Sequence, residues 1–227
     1  MSILYLVATP IGNLEDISLR ALRTLKEVKI IACEDTRKTG LLLKKLNIPP
    51  KKLISYYSYN EEKRVPQIIS LLKNNQSVAL VSEAGTPLIS DPGFKIVAEC
   101  LKQGIKVEPI PGPSAVITAL IASGLPSDKF LFLGYLSKKT TRRKKILENL
   151  KKVEFPLTII LFESPYRVKN LLNELEMIFG NIEIVFTKEL TKKFEKIIKD
   201  KIENIKNFLS KNPPKGEITL LFRIPQD

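Results

Sequence analysis

Two stretches put glycine and proline where a chain could grip a small ligand. Ala79 to Phe94 reads ALVSEAGTPLISDPGF, with Gly85, Pro87, Pro92 and Gly93 in the loop that leaves an apolar run, and Pro109 to Val116 reads PIPGPSAV. Glycine lets backbone come close to a bound molecule, and proline stiffens the loop around it. A third candidate is the basic run Lys138-Lys139-Thr140-Thr141-Arg142-Arg143-Lys144-Lys145. A charge run can be a mere solvated helix face, but six cations in eight residues favour phosphate contact. What is missing narrows the chemistry further. The chain has no histidine, so Ser-His-Asp and Cys-His machinery are excluded, and a zinc site would have to use carboxylates and two distant thiols. No metal site is expected. Neither G-x-G-x-x-G after the first strand nor G-x-x-x-x-G-K-[ST] occurs, which argues against a dinucleotide or nucleoside triphosphate. Short, stiff loops suit a ligand with an aromatic base and little phosphate charge.

The elements that must position these residues follow from periodicity. Short apolar runs at Ile3–Ala8, Lys29–Cys33, Leu53–Tyr56, Val78–Val81 and Val107–Ile110 read as strands. Helical stripes lie between them: Ala21, Leu22, Leu25 and Val28 behind an N-cap at Asp16; Thr39 to Leu46; Val65, Ile68, Ile69 and Leu72 after Asn60; and Phe94, Val97, Ala98 and Leu101. Alternation of this kind predicts a largely parallel sheet covered on both faces. The two Pro/Gly loops should then lie side by side at its carboxyl edge, where open α/β sheets keep their ligands. Ser114 to Ser123 is apolar almost all round and is expected to be a buried helix. Gly124-Leu125-Pro126-Ser127 marks the expected boundary, giving domains 1–124 and 125–227. The second domain shows strands at Phe130–Leu133, Leu157–Phe162, Ile182–Thr187 and Glu217–Phe222. Its helices carry Val168, Leu171, Leu172, Leu175 and Phe179, then Ile198, Ile202, Ile205 and Leu209. That predicts a smaller α/β domain with a mixed sheet.

The 227 residues are 44% hydrophobic and carry a net charge of +13. The first figure suffices for packed cores, and the second points to a polyanionic partner. Lysine outnumbers arginine, so part of that charge is compositional. Cys33 and Cys100 are expected to be small buried hydrophobes. No apolar run is long enough for a bilayer, and MSILYLVATP reads as a first strand rather than a signal peptide. The expected setting is cytoplasmic, without membrane partners.

Five motifs in order carry a resemblance: Thr9-Pro10-Ile11-Gly12-Asn13-Leu14, Cys33-Glu34-Asp35-Thr36-Arg37, Glu83 to Gly93, Pro111-Gly112-Pro113-Ser114-Ala115, and Phe162-Glu163-Ser164-Pro165. Together they resemble the tetrapyrrole-methylase superfamily, and within it the branch that methylates the 2′-hydroxyl of a cytidine ribose in small-subunit ribosomal RNA. The resemblance runs from Leu4 to Phe222. It implies two α/β domains with S-adenosylmethionine in a cleft between them, a homodimer, and small-subunit (16S) ribosomal RNA or the 30S particle as partner. By position it implies cofactor contacts at Pro10, Ala84, Gly85, Thr86, Ile89, Ser114, Ala115, Phe162 and Glu163. The chain departs from the usual pattern with Glu83 for an aspartate and with tyrosines, among them Tyr57, Tyr59 and Tyr166, where histidines are usual.

Methyl transfer to a hydroxyl needs in-line placement and a group that takes or orients the proton. Without histidine the candidates are Glu34, Asp35, Glu83, Asp91 and Lys38. Glu34 or Asp35, at the carboxyl end of the second strand, is the expected catalytic group; the same tetrad reads equally as a helix N-cap with a surface ion pair. Arg37, Lys38, Lys138, Lys139, Arg142, Arg143, Lys144, Lys145 and Arg167 are the expected RNA contacts. The competing readings are methylation of a tetrapyrrole on the same fold, and a non-catalytic RNA-binding assembly factor.

Overall fold

The computed structural model describes residues 2–224. The chain forms two compact units, dividing between Ser114 and Ala115. The expected boundary at Gly124 lies one helix later, and that helix packs with the second unit, as described below.

The first unit runs β1 (Ile3–Val7), α1 (Leu19–Glu27), β2 (Ile30–Cys33), α2 (Thr36–Lys45), β3 (Lys52–Ser55), α3 (Glu61–Lys73), β4 (Val78–Val81), α4 (Phe94–Lys102) and β5 (Lys106–Ile110). Its five strands are ordered β3-β2-β4-β1-β5 and all pair in parallel. Every carboxyl end therefore opens on one edge. β2 and β4 are buried at every position, as strands covered on both faces must be. Alternate side chains feed two cores: Leu4, Ala32, Ile54 and Leu80 in one, Val7, Ile31, Ala79 and Val81 in the other. The loops after β4 and β5 do not leave adjacent strands, because β1 lies between them. Two details of the helices also differ from the sequence reading. Ser18, not Asp16, caps α1, its hydroxyl accepting from Ala21 N at 3.1 Å. In α4 the inward residues are Ile96 and Cys100, while Phe94, Ala98 and Leu101 face outward. Both stripes have helical spacing, and only the position of the sheet chooses between them.

The second unit runs α5 (Ala115–Ala122), β6 (Phe130–Tyr135), α6 (Thr140–Leu150), β7 (Thr158–Glu163), α7 (Val168–Phe179), β8 (Glu183–Lys188), β9 (Lys196–Lys201), α8 (Ile202–Lys211) and β10 (Ile218–Arg223). The sheet order is β6-β7-β10-β8-β9; β6 and β7 are parallel and the remaining pairs antiparallel, so the sheet is mixed. Its core includes Ile159, Leu161, Leu172, Leu175, Phe186, Leu220 and Phe222. β9 was not expected. Ile198 and Ile202 have helical spacing, yet Ile198 sits on an edge strand and Ile202 opens the helix. Lysines at both ends of β9 suit an edge that must not recruit another strand. α5 is buried on one face only: Val116, Ala119 and Leu120 are covered while Ile117 and Ile121 are exposed. Its packing against β10 places it in the second unit.

Candidate functional site at the carboxyl edge of the parallel sheet

Three loops of the first unit are fastened together at this edge. Thr9, after β1, exchanges two backbone hydrogen bonds with Gly85, after β4, both at 2.9 Å. The Thr86 hydroxyl donates to the Pro113 carbonyl, after β5, at 3.0 Å. These bonds bring the two Pro/Gly loops together across β1. Gly85 has φ +81°, and a Cβ there would lie 3.3 Å from Ile11 Cγ2. A Cβ on Gly112 would lie 3.0 Å from Ala8 Cβ. Of the residues expected to meet a cofactor, Pro10 and Gly85 are buried, Ala84, Thr86 and Ser114 are half-buried, and Ile89 is exposed. Ile89 lies between Leu88 and Ser90, both left-handed at φ 72° and 65°, a strained conformation for a leucine. A Cβ on Gly93 (φ +145°) would sit 2.8 Å from Leu88 Cδ1, so Leu88 packs closely over that glycine.

Sequence reasoning missed Glu61 as part of this frame. It is nearly buried; Oε1 accepts from Tyr56 Oη at 2.8 Å and from the Gly93 amide at 3.2 Å. Gly93 caps α4, so one carboxylate joins the turn after β3 to the end of the β4 loop. Burial and then Glu61 push the Tyr56 phenol well above its ordinary range. A glutamate just after an asparagine at a helix start reads as a solvated first-turn acid, and nothing local marks it as buried.

The end of β2 separates the two candidate catalytic acids. Asp35 caps α2, with Oδ1 accepting from the amides of Arg37 at 2.8 Å and Lys38 at 3.2 Å. Those two bonds hold its carboxyl below the ordinary range. The Arg37 guanidinium stands 3.5 Å from Asp35 and is otherwise exposed. Lys38 reaches over to Glu83, Nζ to Oε2 at 2.5 Å, which raises its own affinity for a proton. Glu34 is half-buried. Burial, then the charges of Asp91 and Glu83, push its carboxyl above the ordinary range. Glu34, Asp91, Glu83 and Lys38 thus form one electrostatic group spanning the β2 and β4 loops.

In the second unit Phe162 is half-buried, its ring against Phe132 (centroids 4.9 Å apart) and Tyr135 (5.7 Å). The next residue, Glu163, is buried. Its Oε1 accepts from the Ser164 amide at 2.7 Å and from Arg167 Nε at 3.3 Å, while Oε2 is buried with no hydrogen-bond partner among the described residues. Burial pushes this carboxyl up, against the pull of the Ser164 amide and Arg167. Arg167 also donates to the Leu136 carbonyl at 2.7 Å, so it is held by its own fold. Ala115 is half-buried at the start of α5.

The basic run does not behave as a block. Lys138, Lys139, Arg142 and Lys145 are exposed and Lys144 is half-buried. Arg143 is buried and makes a forked pair with Glu174, at 2.5 Å from Nε and 2.6 Å from Nη2; its Nη1 donates to the Ser137 carbonyl at 2.9 Å. It therefore leaves the set of RNA contacts: its fork is spent on Glu174 and on the turn that precedes α6. Among the described residues no group of three or more His, Cys, Asp or Glu is placed to hold a metal ion.

A parallel five-stranded sheet with its edge loops tied together, followed by a mixed five-stranded sheet, defines a class. A profile of the tetrapyrrole (corrin/porphyrin) methylases matches residues 3–206, and the chain belongs to that family. The particular relatives are narrower. A protein of Hydrogenobaculum sp. (strain Y04AAS1) named ribosomal RNA small subunit methyltransferase I is 48% identical over 222 residues, covering 96% of this chain and 94% of the relative. One of the same name from Thermotoga maritima is 44% identical over 221 residues, covering 97% and 98%. Among solved structures, uroporphyrin-III C-methyltransferase from Thermus thermophilus, complexed with S-adenyl homocysteine, shares the fold with a TM-score of 0.66 at 18% identity, covering 97% of each chain.

Proposed function

We propose that this chain transfers a methyl group from S-adenosylmethionine to the 2′-hydroxyl of a cytidine ribose in small-subunit ribosomal RNA, in the cytoplasm and as a homodimer. The observation that carries the reading is near-full-length identity of 48% and 44% to proteins named ribosomal RNA small subunit methyltransferase I. Family membership supports methyl transfer, and a neighbour of the same fold was captured with the demethylated form of that donor.

The residues present fit such a donor. Gly85 stands where a side chain would press on Ile11, Ala84 is equally small, and the partnerless buried Oε2 of Glu163 calls for a hydrogen-bonding group from outside the protein. In the first unit Pro10, Ala84, Gly85, Thr86, Ile89 and Ser114 would hold it; in the second, Ala115, Phe162 and Glu163 are those proposed. When bound, it supplies a methyl carbon made electrophilic by a sulfonium sulfur. The chain's own task is to place the ribose oxygen in line, a contribution on the order of 7–11 kcal/mol. Glu34 accepts or orients the hydroxyl proton, worth about 10²–10⁴-fold. It suits that role better than Asp35, whose carboxylate is occupied by the α2 amides. Arg37, Lys38, Lys138, Lys139, Arg142, Lys144 and Lys145 meet RNA phosphate, and Arg167 serves to position Glu163.

The test is incubation with labelled methyl donor and either unmethylated small subunits or a corrinoid precursor. Ribose-linked label in small-subunit RNA supports the reading. Label in the precursor makes the chain a tetrapyrrole methylase, and label in neither, with donor bound, makes it a binding protein.

A further inference from the structure

We propose that the turn between β3 and α3 is a base-stacking platform, with Tyr57 and Tyr59 receiving unpaired bases of the RNA. This rests on the function proposed above and concerns how the same sheet edge takes its substrate. Three tyrosines lie within four residues and are treated differently by the fold. Tyr56 is buried, its hydroxyl on Glu61 and its amide donating to the Cys33 carbonyl at 2.8 Å, which extends the β2–β3 pairing. Tyr57 is 38% exposed and Tyr59 97% exposed. The backbone that carries them is clamped. Asn60 Oδ1 accepts from the Tyr57 amide at 2.9 Å, Asn60 Nδ2 donates to the Ser55 carbonyl at 3.1 Å, and the Asn60 amide donates to the Tyr57 carbonyl at 2.9 Å.

Two aromatic rings held toward water on a rigid turn contribute little to the fold, so their use lies outside it. The turn leaves β3 where Ser55 pairs with Cys33, one residue before Glu34, so the rings lie at the edge that carries the proposed proton acceptor. Glu34, Asp35 and the exposed Glu62 make this patch a poor seat for phosphate. The face of a nucleobase, by contrast, is uncharged and stacks on tyrosine. Stacking requires bases that are not already paired, which selects single-stranded or splayed RNA over a duplex. The exposed Arg37 and Lys63 flank the turn and suit the adjoining backbone.

The chain contains no tryptophan, so Tyr59→Trp creates a single fluorescent reporter on the platform. It is titrated with oligocytidylate and with an abasic ribose-phosphate oligomer of the same length and charge. The expected result is quenching by oligocytidylate and none by the abasic oligomer. Tyr57→Ala/Tyr59→Ala should weaken oligocytidylate binding about tenfold or more, leaving affinity for the abasic oligomer and for S-adenosylmethionine unchanged; Tyr59→Phe should retain binding. Oligocytidylate that binds without changing the indole emission overturns the platform, as does a wild-type chain that binds the two oligomers equally or neither. A wild-type chain whose tyrosines stack on bases but which methylates no small subunit overturns the function and leaves the platform standing.

Discussion

Glu34 and Asp35 are adjacent in the chain, and the fold gives their carboxyls opposite tendencies. Asp35 is stabilised as an anion by two helix amides, and Glu34 is destabilised as one by burial and by neighbouring acids. The sign decides what substitution does. A carboxyl whose folded affinity for protons is raised weakens the fold as pH climbs past its unfolded value, so Glu34→Gln should raise the thermal midpoint at neutral pH. The same change should lower single-turnover methylation about 10²–10⁴-fold and flatten the acidic limb of the rate profile, with donor binding intact. Asp35 works in the reverse sense. Its stabilisation is present above its unfolded value and lost as pH falls through the lowered one, so Asp35→Ala should lower the midpoint at neutral pH and change little in strong acid. Thermal unfolding across pH measures both, and unchanged turnover in Glu34→Gln would remove its assignment. Arg143 makes a different case at the same scale. Arg143→Ala strands Glu174 in the core and should cost about 3–5 kcal/mol in denaturant unfolding. Replacing both partners with apolar residues of similar size should recover most of that loss.

At the scale of elements, the β4 loop is set by its last glycine. Gly93 caps α4 at φ +145°, touches Leu88 and donates its amide to Glu61. Gly93→Ala puts a Cβ into Leu88 and forces a conformation that alanine rarely adopts, at about 1–3 kcal/mol. Since Leu88 and Ser90 flank Ile89, the damage should reach the ligand loop. Calorimetry should show weaker S-adenosylmethionine binding beyond the loss of stability, whereas Glu61→Gln, which keeps an acceptor for Tyr56 and Gly93, should affect both much less.

For the whole molecule, the net charge of +13 matters through the cations that reach solvent. Lys138, Lys139, Arg142 and Lys145 are exposed and Arg143 is not. Replacing those four with glutamine should flatten the plot of log affinity for small-subunit RNA against log salt. The slope should fall by about 0.7 for each single-strand phosphate that the protein no longer neutralises. Arg143→Met with Glu174→Leu should leave that slope unchanged, since its cation never faces solvent. Equal effects of the two sets would mean that the run acts through general charge rather than through individual phosphates.

The order of strands and helices, the parallel character of the first sheet and the mixed character of the second were legible because they are local. Ile30–Cys33 and Val78–Val81 are continuous apolar runs, and such runs suit strands buried on both faces. Glycine and proline likewise mark their loops by backbone preference alone. The motifs identified the family for a related reason: residue types at fixed spacing survive in the chain itself. Contacts between distant segments were not legible. β1 lies between β4 and β5, Arg143 turns inward to a glutamate on another helix, Glu61 is buried beneath a glycine far along the chain, and Ile198 joins a strand rather than the helix its spacing suggests. Each outcome depends on which surface is available to cover a side chain or pair a backbone edge, and that surface exists only once the chain has folded.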